Sequence, residues 1–229
     1  MGEAEIHKTQ KTLTIYSHLV CYGGAGDPAL AEQLRDEIET AWNEPRGRVL
    51  LHNESYVVQF RITAELRQDV TELEVLQNTD PRNNYFRIEQ FAHTHISFVD
   101  GLGCNTGYFL LENLYKGSTT AAHEYGHTLG LDHPTNLDIR GQGVPGIMYP
   151  RGTLVDASYQ YDPAIKAGLK GGTMHPVYRK VKQEDIDNIK LHKLVFRDNR
   201  AIVGAFTNVY HWSHTEEDQN GNLVAPPLA

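Results

Sequence analysis

Residues 123–133 read HEYGHTLGLDH, which matches the five specified positions of the pattern HExxHxxGxxH. At about one in twenty for each position and about 220 windows, chance would give this match in roughly one chain in ten thousand. Because residues four apart on a helix share one face, His123 and His127 can present their imidazoles to the same metal ion. Glu124 stands one step around the helix, where it can miss the metal and still reach a water bound to it. The stretch therefore predicts a helix that carries a metal site.

The third histidine, His133, indicates how the chain runs after this helix. A straight helix would carry the chain away from the metal, so Gly130 is predicted to take the left-handed conformation that ends the helix and lets His133 return. Three neutral imidazoles leave a tetrahedral zinc ion with one open position, which is typical of a catalytic site. The alternatives are a purely structural zinc, which would favour a fourth protein ligand, or histidines that are ordinary core or surface residues.

The chemistry predicted for this site is peptide-bond hydrolysis. Zinc lowers the pKa of its water towards about 7 and polarises a substrate carbonyl. Glu124 can take the proton of this water as general base and deliver it to the leaving amine as general acid. With His123, His127 and His133 as ligands, the sequence predicts a zinc metalloendopeptidase with one catalytic Zn2+ that acts on proteins or peptides.

A second motif connects the chain with a known family. Residues 146–150 read GIMYP, and Met148 stands 15 residues beyond His133. A histidine motif of this kind followed by such a methionine resembles the metzincin metalloproteases. The resemblance implies that Met148 forms a hydrophobic floor under the three histidines, and it makes Tyr149 and Pro150 candidates for lining the cleft.

The subfamily features of this resemblance disagree. Met-Tyr-Pro at 148–150 is similar to the matrixins, and QEDIDNI at 183–189 is similar to their C-terminal helix. Pro134, directly after the third histidine, instead resembles the serralysins. Astacins and serralysins place a zinc-binding tyrosine two residues after the methionine, where this chain has Pro150, so no tyrosine ligand is assigned.

A second metal loop is a further candidate. His93 and His95, followed by Asp100, resemble the loop in which matrixins bind a structural zinc and calcium. His95 stands where an aspartate is expected and Tyr108 falls near the place of the next histidine, so alternate positions on a half-exposed strand are the favoured interpretation. Ca2+ at residues 100–107 (DGLGCNTG) is a candidate because Gly-rich loops offer carbonyl oxygens, although only one carboxylate lies there.

The surrounding sequence predicts an α+β fold. A strand, a helix and then several strands favour a mixed twisted sheet in the first half. The metzincin resemblance implies a zincin fold with an active-site helix and a C-terminal subdomain that bears the Met-turn and a terminal helix. An edge strand that pairs with an extended substrate is expected within 108–111 or 95–99. The predicted strands are 12–20, 48–62 with a turn at 53–55, 85–99 and 108–111, and the predicted helices are 28–45, 118–129 and 183–195.

The organisation predicted for the 229 residues is a single catalytic domain with an extension. The domain spans 1–196, with an N-terminal subdomain of about 12–133 and a C-terminal subdomain of about 134–196. Residues 197–229 form the extension, in which His211 and His214 are interpreted as solvated.

Charge and composition argue against several classes of protein. Lys and Arg number 21 against 29 Asp and Glu, which gives a net charge of −8, so no nucleic-acid or anionic-membrane partner is expected. No apolar stretch approaches the roughly 18 residues that span a bilayer, and residues 1–10 lack the apolar region of a secretory signal. The family resemblance nevertheless implies a secreted or extracellular protein, and a monomer is favoured. Cys21 and Cys104 allow one disulfide or two free thiols.

Two alternative functions stay open. The first is a delivered toxin or effector metalloprotease with a narrow target range, which the unusual loops and the missing signal favour. The second is a catalytically silent zinc-containing protein that uses the cleft to bind peptides. An intact Glu124 weighs against the second, because a silent protein has little physical use for an acid beside the metal.

Overall fold

A mixed sheet around one long strand is the frame of the protein, in a computed structural model that describes residues 1–217 and 223–224. The long strand is β2 (Thr12–Tyr22), and it pairs in parallel with β4 (Glu54–Leu66) along nearly its whole length. On its other side, β1 (Gly2–His7) pairs antiparallel with the first part of β2, and β5 (Asn83–Glu89) pairs parallel with the second part.

The remaining strands extend this sheet at its margins. β3 (Arg48–Leu51) is antiparallel to β4, β7 (Thr106–Leu110) is parallel to β5, and β6 (Phe98–Val99) is antiparallel to β7. β8 (Arg200–Val203) is antiparallel to β1. The strand order β3-β4-β2-β5-β7-β6, with parallel and antiparallel neighbours, confirms the predicted mixed sheet. β6 is the strand at one end of this order. A separate pair is formed by β9 (Glu216–Glu217) and β10 (Leu223–Val224).

The first helix, α1 (Pro28–Asn43), forms as its sequence predicts. The side chain of Asp27 accepts a hydrogen bond from the backbone N–H of Leu30 at 2.7 Å, and Pro28 occupies the first turn, where its missing N–H costs nothing. The buried face of α1 includes Trp42, which packs against Phe60 of β4 with ring centroids 5.2 Å apart. This face and the sheet enclose the main hydrophobic core.

The other helices are short. α2 (Glu72–Leu76) was not predicted, and α3 (Thr120–Thr128) lies within the helix predicted around the histidines. α4 (Gln183–Asn188) is shorter than the predicted 183–195, because Lys190 takes a left-handed conformation with φ of 58° that an α-helix cannot continue. Short 3-10 helices occupy Leu111–Asn113, Ala157–Tyr159, Pro176–Tyr178 and Leu191–Lys193.

The predicted C-terminal extension contributes to the sheet, since β8 lies within it. The interpretation of His211 and His214 as solvated is wrong: both are half-buried, and the backbone N–H of His214 donates to the Tyr108 hydroxyl at 3.2 Å. Cys21 and Cys104 are free thiols, both buried. Within the described ranges, no helix combines the length and apolarity needed to cross a bilayer.

Candidate metal centre

Helix α3 is held in place by α1 and the sheet. Its N-cap residue, Thr119, has a φ of 55° and makes no side-chain cap. Glu37 of α1 takes over that role by accepting a hydrogen bond from the N–H of Ala122 at 3.3 Å. Burial raises the pKa of Glu37, and hydrogen bonds from Ala122 and Ala121 act in the opposite direction. On the sheet side, the hydroxyl of Tyr125 lies 2.8 Å from that of Ser17.

Three histidine rings converge at the C-terminal end of α3. His123 and His127 project from the helix, and His133 reaches them from the following loop. The Nε2 atom of His133 lies 3.0 Å from Nε2 of His123 and 3.1 Å from Nε2 of His127. Zinc bound to nitrogens at about 2.0–2.1 Å in tetrahedral geometry keeps those nitrogens roughly 3.3 Å apart. The three side chains could therefore hold one metal ion with little adjustment.

Hydrogen bonds at Nδ1 of His123 and His127 fix the direction in which the Nε2 lone pairs of these rings point. Nδ1 of His123 lies 2.7 Å from the carbonyl oxygen of Ile147, and Nδ1 of His127 lies 2.8 Å from that of Leu131. Because a carbonyl oxygen only accepts, each Nδ1 carries the proton, and each Nε2 of the neutral rings turns a lone pair towards His133. Such second contacts fix the ring orientation of metal-ligating histidines.

The electrostatic surroundings keep these rings neutral, which is the form that binds a metal. Burial holds the pKa of His123 well below its ordinary value, and the positive charge of Arg179 adds to this effect. Burial likewise lowers the pKa of His127 and His133. Neutral imidazoles with converging lone pairs are a donor set that zinc favours, so the residues present fit this ion.

The turn after α3 brings His133 back to the helix. Gly130 has a φ of +91°, which confirms the predicted left-handed conformation. The N–H of Gly130 donates to the carbonyl of His127 at 3.0 Å, and the N–H of Leu131 donates to that of Gly126 at 3.1 Å. These bonds satisfy carbonyls that would otherwise be unpaired at the helix end.

Met148 packs directly against α3, between the helix positions of the first two histidines. A Cβ atom placed on Gly126 would collide with the Sδ atom of Met148 and would lie 3.2 Å from Cζ2 of Trp42. Glycine at this helix position is therefore required by close packing rather than by backbone conformation.

Replacing Gly126 with alanine is expected to destabilise the metal-free protein by about 1–3 kcal/mol, because the added methyl group must displace Met148 or Trp42. Urea unfolding measures this change. Gly152→Ala is the matched control, since no atom lies within 4 Å of a Cβ at Gly152. Equal urea midpoints for the two variants would show that Met148 does not pack against the helix.

Glu124 lies in a cleft together with two of the histidines. The cleft has a volume of about 180 Å³. Burial raises the pKa of Glu124 to about 8, while Arg179 and Arg151 act in the opposite direction. The full set of lining residues is Ile96, Ser97, Asn113, Thr120, His123, Glu124, His133, Pro150, Arg151 and Arg179.

The raised pKa of Glu124 predicts a pH-dependent stability of the metal-free protein. The folded form holds the Glu124 proton up to about pH 8, whereas the unfolded chain releases it near the ordinary value for glutamate. The contribution of Glu124 to the free energy of unfolding should therefore fall as the pH rises between these two values, whereas the lowered pKa values of the three histidines act in the opposite direction. Urea unfolding from pH 5 to pH 8 should therefore show that the stability of the wild type declines relative to that of Glu124→Gln, which cannot titrate. Identical pH profiles for the two proteins would contradict the buried position of the carboxyl group.

Arg179 is a residue of this site that sequence reasoning missed. Its side chain is only 4% exposed, and burial lowers its pKa to about 10. Nε donates to the Thr119 hydroxyl at 2.9 Å, and the two terminal nitrogens donate to the carbonyls of Ser118 and Tyr149 at 3.3 Å each. A lone arginine far from the motif in sequence carries no signal that could have revealed this position.

The other predicted site residues are distributed over different places. Pro150 lines the cleft with Glu124, whereas Tyr149 lines a second groove that also includes His133 and packs on a small hydrophobic cluster. His93 stacks on His214 with ring centroids 4.5 Å apart.

The candidate second metal loop is not brought together as a ligand set. Asp100 accepts a hydrogen bond from His211 at 2.9 Å rather than facing His93 and His95. In the part of the chain that the structure describes, the one group of three or more ligating side chains that could hold a metal is His123, His127 and His133. Calcium at residues 100–107 thus gains no support.

Fold and site together define a mixed α/β protein in which three histidines on and after one helix could hold a metal ion. No family profile and no curated protein matches the sequence. Among solved structures, the crystal structure of archaemetzincin from Methanopyrus kandleri is similar with a TM-score of 0.40 and 11% identity, over 77% of this chain and 95% of that chain. The comparisons give no support for the matrixin or serralysin features.

Proposed function

We propose that the protein is a zinc-dependent metallopeptidase of metzincin type that cleaves within protein or peptide chains. The observation that carries this proposal is the buried carboxyl group of Glu124 in the same cleft as His123 and His133. A structural metal site has no need of such an acid, and it would favour a fourth protein ligand over an open position.

The residues around the cleft would have different roles in hydrolysis. His123, His127 and His133 would hold zinc, which supplies a Lewis acid for the substrate carbonyl and an activated water. Glu124 would accept a proton from the attacking water and pass it to the leaving amine. The positive charge of a bound zinc ion would pull the pKa of Glu124 down from about 8, towards the range in which a carboxylate can act as a base near neutral pH.

The sheet offers an edge for an extended substrate. Of the two segments expected to contain this edge, 108–111 overlaps β7, which lies between β5 and β6. β6 is the last strand in the strand order. The cleft is lined by Ile96 and Ser97, which come just before β6. We therefore assign substrate pairing by β-addition to the segment that leads into β6.

Cleavage of casein and of a mixed peptide library tests the proposed function. Zinc-loaded protein, chelator-treated protein and chelated protein with zinc restored are compared, and bound zinc is quantified in each. We expect cleavage by the first and third samples and none by the second. Binding of peptides without turnover in protein that holds one zinc ion would contradict the proposal and would support the silent peptide-binding alternative.

A further inference from the structure

The cleft beside Glu124 contains a guanidinium group that forms no ion pair with a carboxylate among the described residues, although the carboxyl groups of Glu124 and Glu37 act on it electrostatically. Arg179 is buried, and its hydrogen bonds go to two backbone carbonyls and one hydroxyl. Within residues 1–217, no ion pair with a carboxylate is formed by this side chain. A buried charge is usually paired directly, so this guanidinium can take a further anionic partner in the cleft.

A second arginine stands in the same cleft. Arg151 follows Pro150 and is exposed. Across the described chain, it too lacks an ion pair with Asp or Glu. The charges of Arg151 and Arg179 both act on Glu124. With zinc bound, the positive charges of the cleft would outnumber its one carboxylate, so the cleft favours an anion.

Two residues that line the cleft have polar side-chain atoms without a partner in the described part of the chain. The amide nitrogen Nδ2 of Asn113 and the hydroxyl oxygen Oγ1 of Thr120 are buried without a hydrogen-bond partner among the described residues. Both residues line the cleft beside Arg179. Most buried polar groups in proteins are paired, so two unpaired groups beside one small cavity are candidates for completing their hydrogen bonds with a ligand when the side chains turn towards it.

We infer that this cleft selects substrates with a carboxylate close to the scissile bond, bound by Arg151 and Arg179 with Asn113 and Thr120 as further partners. The carboxylate could be the free C-terminus of a short peptide or the side chain of Asp or Glu. Arginine suits this role because its planar guanidinium can pair with both oxygens of a carboxylate. The inference deepens the proposed peptidase function and rests on it.

Matched peptide pairs test the carboxylate directly. The first pair is N-acetyl-Ala-Ala-Ala with a free C-terminus and the same peptide as its amide. The second pair is N-acetyl-Ala-Glu-Ala amide and N-acetyl-Ala-Gln-Ala amide. Binding to Glu124→Gln protein is measured by calorimetry, with and without zinc, so that attraction to the metal itself is separated from attraction to the arginines. We expect at least one charged peptide to bind about tenfold more tightly than its neutral partner in both metal states.

Charge reversal assigns this preference to the arginine. Arg151→Glu, made in the Glu124→Gln background, should abolish most of the preference. Arg151→Lys keeps the charge but loses the planar guanidinium that can bind both carboxylate oxygens, so this variant should retain part of the preference. Lys8→Glu is the matched control: Lys8 is exposed in the turn between β1 and β2, lines no part of the cleft, and undergoes the same charge change. It should leave the preference unchanged.

Each outcome decides a separate point. Discrimination of the acid from its amide alone identifies a C-terminal carboxylate, and discrimination of Glu from Gln alone identifies an acidic side chain. Equal binding within both pairs, or a preference that Arg151→Glu does not alter, would overturn the inference. Cleavage of casein by the zinc-loaded wild type with equal binding would leave the peptidase function standing without the carboxylate preference. A clear preference without any cleavage would contradict the peptidase function alone.

Discussion

Replacing Glu124 with glutamine is expected to lower the rate of peptide hydrolysis by about 10²–10⁴-fold while bound zinc stays unchanged. Glutamine has nearly the same size and still fills the buried position, so the cleft keeps its shape. It cannot accept a proton from the attacking water or carry one to the leaving amine. The three Nε2 atoms that could hold the metal belong to other residues, so zinc affinity should persist.

The experiment compares kcat/KM on any peptide that the wild type cleaves, with zinc content measured on the same samples. Glu112→Gln is the matched control, because Glu112 is exposed and undergoes the same change of charge. Turnover by Glu124→Gln at the wild-type rate would refute the assigned general base. A loss of zinc in this variant would show instead that Glu124 supports the metal site.

Replacing His127 with alanine is expected to weaken zinc binding by more than about 100-fold, a larger loss than changes around metal ligands typically cause. The change removes one of three nitrogens and also the hydrogen bond from Nδ1 to the carbonyl of Leu131, which fixes the loop leading to His133. Activity should disappear with the metal.

Competition with a chromogenic zinc chelator measures this affinity, and thermal unfolding with and without zinc gives a second readout. Wild-type protein should unfold at a higher temperature when zinc is present, and His127→Ala should lose most of that increase. His192→Ala, at an exposed histidine away from the site, should behave as the wild type. Undiminished zinc affinity in His127→Ala would contradict the proposed ligand set.

Local spacing explains which parts of the site could be predicted. His123 and His127 lie on one helical face because of the helix period alone, and Gly130 ends the helix because glycine tolerates a positive φ. Arg179 and Glu37 could not be found in this way. They reach α3 from distant segments, and only the tertiary packing of those segments brings them there.

The same distinction applies to the fold. Residues that favour strands predicted β2, and the alternation of apolar and polar residues predicted β3 and β4. Asp27 as N-cap followed by Pro28 at the first helical position predicted the start of α1. The end of α4 depends on the left-handed Lys190, a residue type with no strong preference for that conformation, so the sequence overextended the helix. The short β1 is held by pairing with both β2 and β8, and neither β1 nor β8 has a strong pattern of its own.

The pairing of β1 with β8 also affects how the protein is made. Gly2 pairs with Val203, so residues synthesised at very different times must meet in one ladder. Ribosomal synthesis of the chain therefore leaves β1 without this neighbour until translation has passed Val203. Closing so long a loop carries a large entropic cost before the contacts form, which favours slow folding. The nascent chain would expose the free side of β1 in the meantime, and such an unpaired edge is a site where another chain can pair and aggregate.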